Sequence, residues 1–177
     1  MDPGTFAPNR HRAASLASKV NKQVSLKEKS NMPGILVGID GSSHSRLALE
    51  WAIKEAVVRR APLTVLTVQQ AVVGYWGSPV LYPGDEDLVE QGRKTAQAET
   101  DSALEEIGSE SGPSSVTVRA VTGLPAEALL EAAADADMLV LGSRGAGGFK
   151  RLLMGSVSTQ VTHHAPCPVV VIPDGNI

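Results

Sequence analysis

The sequence has a single cysteine, Cys167, so it cannot form a disulfide within the chain, and this favours a reducing compartment. Only 3% of the residues are aromatic, which leaves Ala, Val, Leu and Ile to build the core. No apolar run approaches the roughly 18 residues that a membrane-spanning helix needs. These scarcities predict a cytoplasmic protein without a membrane segment, and an aliphatic core typical of parallel sheets between helices.

Charge is unevenly distributed along the 177 residues, whose net charge is −3. The first 30 residues carry about +4 and the remainder about −7, which argues against nucleic acid as a partner of the folded part. Residues 1–32 have little hydrophobic content and are predicted to be a flexible arm, leader or tag, with a transit peptide or a short basic helix as alternatives. Residues 33–177 are predicted to form one domain.

Strand-like and helix-like segments alternate from Gly34 onward, and a loop is predicted over Gly74–Asp87 because of its glycines and prolines. The alternation predicts an α/β fold with a five-stranded, parallel, doubly wound sheet and helices on both faces. The predicted strands are Gly34–Ile39, Leu63–Val68, Val116–Val121, Met138–Leu141 and Pro168–Ile172, and the helices are Ser43–Arg60, Asp87–Ile107, Pro125–Ala134 and Ser156–His164. The apolar side of the first helix is predicted to be Leu47, Ala48, Trp51, Ala52 and Ala56.

The fourth predicted strand runs directly into a glycine-spaced loop. Gly142-Ser143-Arg144-Gly145 follows Leu141, and Gly155-Ser156 comes after nine further residues. Glycines permit left-handed backbone and close approach of a ligand, and the N–H groups at a helix start favour an anion. The segment predicts a phosphate-binding loop. A tight structural connection is the alternative for Gly142 and Gly145, and Arg144 either contacts phosphate or points to water.

Asp40, at the end of the first predicted strand, is a second candidate. Its carboxylate could hold a divalent cation beside phosphates or accept from a ribose hydroxyl, and the alternative is an N-cap-like role for the following helix. Ser156 could both cap the last helix and contact a phosphate. If the first and fourth strands are neighbours, the Asp40 turn and the glycine loop flank one crevice, where open α/β sheets bind ligands.

The glycine loop differs from a P-loop, because Gly-x₄-Gly-Lys-(Ser/Thr) is absent and no lysine precedes Ser156. The sequence also identifies no base that would position water and no arginine finger, so rapid phosphoryl transfer has little support. Lys150 and Arg151 are predicted to be a solvated basic face that steers an anion.

Three segments between about Pro33 and Pro173 resemble the universal stress protein family. Gly142, Gly145, Gly155 and Ser156 match the family's ATP-binding signature, Gly-x₂-Gly-x₉-Gly-(Ser/Thr). The opening Ile35-Leu36-Val37-Gly38-Ile39-Asp40-Gly41-Ser42 is similar to the family's first strand, and His164-Ala165-Pro166-Cys167-Pro168-Val169-Val170-Val171 to its last.

The resemblance implies a flavodoxin-like sheet of order 3-2-1-4-5, a homodimer paired along Pro168–Ile172, and ATP or another adenine nucleotide bound with Mg²⁺. It places Asp40 at the nucleotide as a candidate Mg²⁺ ligand, and the main chain of Val68 opposite the adenine edge. The nucleotide-binding residues that it implies are Gly38, Ile39, Asp40, Val68, Leu141, Gly142, Ser143, Arg144, Gly145, Gly155, Ser156, Val157 and Ser158.

The function that the resemblance implies is ATP-dependent regulation in stress or dormancy, through an unknown protein partner and with little or no hydrolysis. A cyclic AMP- or AMP-binding module, a slow ATPase and a structural protein with a vestigial motif are the alternatives.

Overall fold

The computed structural model describes residues 34–70, 72–73, 79–80, 85–108, 112–146 and 154–173. The elements within these ranges are β1 (Gly34–Ile39), α1 (Ser43–Arg59), β2 (Pro62–Gln70), β3 (Val72–Val73), β4 (Pro79–Val80), α2 (Asp85–Ile107), β5 (Ser115–Gly123), α3 (Pro125–Ala133), β6 (Ala136–Gly142), α4 (Ser156–His164) and β7 (Val169–Ile172). None of the described helices is long and apolar enough to cross a membrane. The predicted arm over residues 1–32 and the predicted basic face at Lys150 and Arg151 lie outside the described residues, so the domain boundary stays a prediction.

Five parallel strands form the main sheet in the order β5-β2-β1-β6-β7. In the centre of the sheet, Val37 of β1 pairs with Val65 of β2 on one side and with Val140 of β6 on the other. Counted among these five strands alone, the order is 3-2-1-4-5. The predicted α/β fold is therefore confirmed, including the adjacency of the strands that precede Asp40 and the glycine loop.

Side chains of alternate strand residues build an aliphatic core on each face of the sheet. One core joins the sheet to α1 and α2; its buried members are Ile35, Val37, Ile39, Leu63, Val65 and Val140 from the strands with Ala48, Leu49, Ala52, Ile53, Ala56, Ala96 and Ala103 from the helices. The other joins the sheet to α3 and α4; it contains Leu36, Leu66, Leu139 and Leu141 with Ala126, Leu129, Ala133 and Val161. Both faces of β1 and β6 are thus covered, which explains the uninterrupted apolar sequence of residues 35–39 and 138–141.

The buried side of α1 agrees only in part with the predicted one, since Ala48, Ala52 and Ala56 are buried as predicted. Leu49 and Ile53 are fully buried, whereas Leu47 and Trp51 are only half-buried. The reason is that α1 contacts α2 as well as the sheet, so its apolar stripe follows residues 49, 52, 53 and 56 toward both neighbours. The helix ends where Arg60 takes a left-handed conformation with φ of 53°.

Part of the predicted loop Gly74–Asp87 has regular structure. Pro79–Val80 pairs antiparallel with Val72–Val73, and α2 begins at Asp85, two residues before its predicted start. Two-residue strands carry too little periodicity to be recognised in a sequence, and a proline is tolerated in such a marginal strand. Residues 74–78 and 81–84 lie outside the described part of the chain.

Candidate ligand-binding site

A cavity of about 580 Å³ opens at the carboxyl ends of β1, β2 and β6. It lies on the sheet face that α3 and α4 cover, because its lining includes Leu66, Leu129 and Leu141 of that core. The strand order reverses at β1, which has β2 on one side and β6 on the other. The cavity therefore occupies the position at which open α/β sheets bind ligands.

All of the predicted nucleotide-binding residues line this cavity except Ser143; they are Gly38, Ile39, Asp40, Val68, Leu141, Gly142, Arg144, Gly145, Gly155, Ser156, Val157 and Ser158. Ser143 is buried instead. Its N–H donates to the Ile172 carbonyl at 2.8 Å, and its own carbonyl accepts from the Gly155 N–H at 2.8 Å. Ser143 thus joins the end of β7 to the start of α4 and positions the loop.

Six residues that line the cavity were not predicted from the sequence: Ser45, Leu66, Gln70, Pro125, Leu129 and Ala146. Strand alternation was a sufficient signal for Leu66, which lies on the same face of β2 as Val68. Pro125 and Leu129 belong to α3. The position of this helix beside the cavity depends on tertiary packing and cannot be predicted from the local sequence. These two residues extend the apolar wall of the cavity.

Asp40 joins the turn after β1 to the glycine loop. Its Oδ1 accepts from Ser42 Oγ at 2.6 Å and from the Ser42 N–H at 3.1 Å, and its Oδ2 accepts from the Ala146 N–H at 2.8 Å. Partial burial raises the pKa of Asp40, but these hydrogen bonds outweigh burial and leave the pKa below its ordinary value. The N-cap role that was the alternative for Asp40 belongs to Ser42, whose Oγ accepts from the Ser45 N–H at 3.2 Å.

We expect Asp40 to make the protein's stability depend on pH in acid. Because its pKa in the folded state lies below the ordinary value of 3.8, its contribution is complete above that value and is lost as the pH falls through the folded-state pKa. The difference in free energy of unfolding between the wild type and Asp40→Asn should therefore be larger at pH 7 than at pH 3. Urea unfolding of both proteins at the two pH values measures it. A difference that does not change with pH would contradict the assignment.

Steric contacts, rather than left-handed backbone, explain two glycines of the loop. Neither Gly142 nor Gly145 has a positive φ, whereas Gly41 in the β1 turn has φ of 76°. A Cβ on Gly142 would lie 2.7 Å from the His44 carbonyl carbon, and a Cβ on Gly145 would lie 2.5 Å from Asp40 Oδ2. The loop therefore packs directly on the turn after β1 and on the first residues of α1, and a tight structural connection accounts for Gly142.

The first turn of α4 presents backbone N–H groups to the cavity. Gly155 is the N-cap, and the first helical hydrogen bond runs from the Thr159 N–H to the Gly155 carbonyl at 2.9 Å. The N–H groups of Ser156, Val157 and Ser158 precede that bond, which is the arrangement that attracts anions. The prediction that Ser156 caps the helix is wrong, because Ser156 is the first helical residue and is exposed.

The hydroxyl of Ser158 faces inward. It is buried and donates to the Gly142 carbonyl at 2.8 Å, so it fixes the first turn of α4 to the end of β6. The contribution of Ser158 to an anion would come from its backbone N–H, whereas the exposed hydroxyl of Ser156 is accessible to a ligand. Asp40 and Arg144 are the charged residues that line the described cavity.

The fold and the cavity define a doubly wound α/β domain with its ligand site where the strand order reverses. A model of the universal stress protein family matches residues 32–173. The chain belongs to the universal stress protein family.

Individual relatives agree with this assignment. A universal stress protein of Mycobacterium tuberculosis is 37% identical over 141 residues, which cover 78% of this chain and 47% of that protein. The chain thus spans about half the length of this relative. The structure of UspA from Lactobacillus plantarum has a TM-score of 0.60 and 25% identity, covering 79% of this chain and 97% of that one. A universal stress protein solved in complex with cAMP has a TM-score of 0.55 and 25% identity, covering 80% and 96% of the two chains.

Proposed function

We propose that this chain is an ATP-binding regulatory protein of the cytoplasm, which responds to stress or dormancy by changing the surface it presents to a protein partner. The observation that carries the proposal is one cavity with an apolar side and an anion-binding side. Leu66, Val68 and Leu129 contribute apolar contact, and the first turn of α4 contributes backbone N–H groups. An adenine nucleotide needs both, with the base on the apolar side and the phosphates at the helix start.

The size of the cavity and its charges support the same ligand. Its volume of about 580 Å³ lies within the range of small-molecule sites, roughly 300–1,000 Å³. Arg144 supplies a guanidinium, and Asp40 supplies one ionised carboxylate. Mg²⁺ bound with a nucleotide takes one or two carboxylates together with phosphate oxygens and water, so Asp40 fits as its protein ligand.

We further propose that hydrolysis is slow or absent. Asp40 is the only carboxylate among the described lining residues, and its proposed role is to bind Mg²⁺. A general base needs a pKa near the working pH, whereas the pKa of Asp40 lies below its ordinary value of 3.8. The lining residues are therefore suited to holding a nucleotide.

The main alternative is a module for cyclic AMP or AMP. The universal stress protein solved in complex with cAMP favours this alternative, because the present chain covers 96% of the chain of that protein. The α4 start could hold a single phosphate as well as a chain of three.

We also propose that the protein is a homodimer through Pro168–Ile172. β7 lies at an edge of the sheet, and its residues Val169–Ile172 are half-exposed. Pairing with a second copy would cover this apolar edge. Sedimentation equilibrium that gives the mass of a monomer would contradict the dimer.

The test of the proposed function starts from protein purified without added nucleotide. Mass spectrometry of the small molecules released on denaturation should detect an adenine nucleotide. Addition of ATP with Mg²⁺ at 100 times its dissociation constant should raise stability by about 2.7 kcal/mol, visible as a melting shift. If neither release nor a shift occurs, the proposal is wrong. A larger effect of cyclic AMP or AMP than of ATP at equal concentration would select the alternative.

A further inference from the structure

Hydrogen-bonding side chains are unevenly distributed around the cavity at the carboxyl ends of β1, β2 and β6. Six of the described lining residues carry one: Asp40, Ser45, Gln70, Arg144, Ser156 and Ser158. All of them except Gln70 belong to the turn after β1, to α1, to the glycine loop or to the start of α4. Gln70 is the last residue of β2. The wall that β2 and α3 form therefore has a single polar side chain among the residues that the structure describes.

The end of β2 projects beyond β1 in the sheet. The last residue of β1 pairs with Thr67, whereas β2 continues to Gln70 and pairs with β5 as far as Gly123. Because side chains alternate along a strand, Leu66, Val68 and Gln70 lie on the same face of β2, and all three line the cavity. Gln70 is therefore at the outer end of an apolar wall, past the end of β1.

The space beside Gln70 is open. Its partner in the strand register is Gly123, and a Cβ built on Gly123 would meet no atom of the described residues within 4 Å, its chain neighbours aside. Gln70 itself is exposed, so its carboxamide can turn toward a ligand. A flat ring can therefore lie against Val68 and the α3 residues Pro125 and Leu129, with its edge at the carboxamide.

The anion-binding start of α4 lies across β1 from Gln70. β1 separates β2 from β6 in the sheet, and α4 follows β6 in the chain. Neighbouring strands are about 4.8 Å apart, so β2 and β6 are roughly 10 Å apart. A nucleotide with its phosphates at the start of α4 therefore extends across β1 and places its base on the β2 side of the cavity.

We propose that the Gln70 carboxamide selects adenine as the base of the bound nucleotide. Its carbonyl oxygen accepts a hydrogen bond from the 6-amino group, and its amide nitrogen donates one to the ring nitrogen beside that group. A carboxamide has one acceptor oxygen and two N–H donors, and glutamine pairs with adenine through both when proteins read DNA. This inference rests on the proposed function, because it concerns the base of a nucleotide held in the same cavity.

The test compares ATP with purine riboside triphosphate, which lacks the 6-amino group and is otherwise the same molecule. Isothermal titration with Mg²⁺ present gives the affinity of each ligand for the wild type and for Gln70→Leu, which keeps a side chain of similar size without the amide. The net contribution of one neutral hydrogen bond corresponds to about fivefold in affinity. We therefore expect the preference for ATP over the analogue to be about fivefold greater in the wild type than in Gln70→Leu.

Gln69→Leu is the matched control, because it makes the same change one residue earlier on the same strand. Gln69 points to the opposite face of the sheet, where it lines a smaller cavity beside α2 together with Thr67. This variant should keep the wild-type preference for ATP within about twofold. The readout is a ratio of two affinities, so a change that merely distorts the nucleotide cavity weakens both ligands together and leaves the ratio as it was.

Three results would overturn the proposal: an unchanged preference for ATP in Gln70→Leu, an equal loss of preference in Gln69→Leu, or equal binding of the two ligands by the wild type. Each of them would leave the proposed function standing, because ATP still binds to the wild type. Absence of ATP binding by the wild type would instead contradict the proposed function, and this inference with it.

Discussion

Replacement of Gly142 by alanine is expected to destabilise the ligand-free protein by about 1–3 kcal/mol, the usual effect of forcing extra atoms into a packed interior. The added Cβ would lie 2.7 Å from the carbonyl carbon of His44 and 2.8 Å from its carbonyl oxygen. These are backbone atoms in the first turn of α1, so no side-chain rotation relieves the overlap. To accept the methyl group, β6 must move away from α1, and both elements contribute buried residues to the same core.

Gly155→Ala is the matched control, because it adds the same methyl group to another glycine of the same motif. Its Cβ would lie 3.5 Å from Arg144 Cα, an ordinary contact, and its φ of −75° suits any residue. Alanine is a weaker N-cap than glycine, which lowers the stability of the folded protein, whereas it makes the unfolded chain less flexible, which raises that stability. The net change in free energy of unfolding should therefore stay within about 1 kcal/mol. Thermal and urea unfolding without nucleotide compare the two variants. Equal stabilities would show that Gly142 is not required by packing.

The strand pattern of this chain could be predicted because each central strand is apolar on both faces. The predicted and observed bounds of the first strand coincide at Gly34–Ile39, and the others differ by up to two residues at either end. The adjacency of β1 and β6 follows from the family resemblance and places Asp40 beside the glycine loop, as the Ala146 N–H to Asp40 bond shows.

Tertiary contacts decided what the sequence could not predict. The need for glycine at residue 142 comes from His44, which is remote in sequence, and the inward orientation of the Ser158 hydroxyl comes from the Gly142 carbonyl. Thr67 gives a related example. In the sequence it is one more β-branched strand residue, and only the position of α2 turns its hydroxyl into a lining group of a cavity. Local sequence patterns are sufficient to predict the helices and strands, whereas the roles of side chains depend on which helices and strands are in contact.

Ser156→Asp is expected to raise the stability of the protein while weakening its binding of ATP by at least about tenfold. Ser156 is exposed at the first position of α4, whose first turn contains no acidic residue. A carboxylate there interacts favourably with the helix dipole, typically by about 0.3–1 kcal/mol. If phosphates bind at the same turn, the carboxylate takes their place beside the helix N-terminus and repels them. A loss of about 1.4 kcal/mol in binding free energy corresponds to a tenfold lower affinity for ATP. Unfolding without nucleotide and calorimetric titration with ATP measure the two effects.

Ser156→Asn separates charge from shape, because asparagine has the size of aspartate without its charge. We expect this variant to lose much less ATP affinity than Ser156→Asp, and we expect the difference between the two to shrink as salt screens the repulsion at the exposed site. Equal losses in both variants would assign the effect to the hydroxyl or to shape. Wild-type ATP affinity in Ser156→Asp would place the phosphates away from α4 and overturn the assignment of this helix as the anion-binding end of the cavity. The opposite signs expected for stability and for binding exclude general misfolding as the cause of a lost affinity.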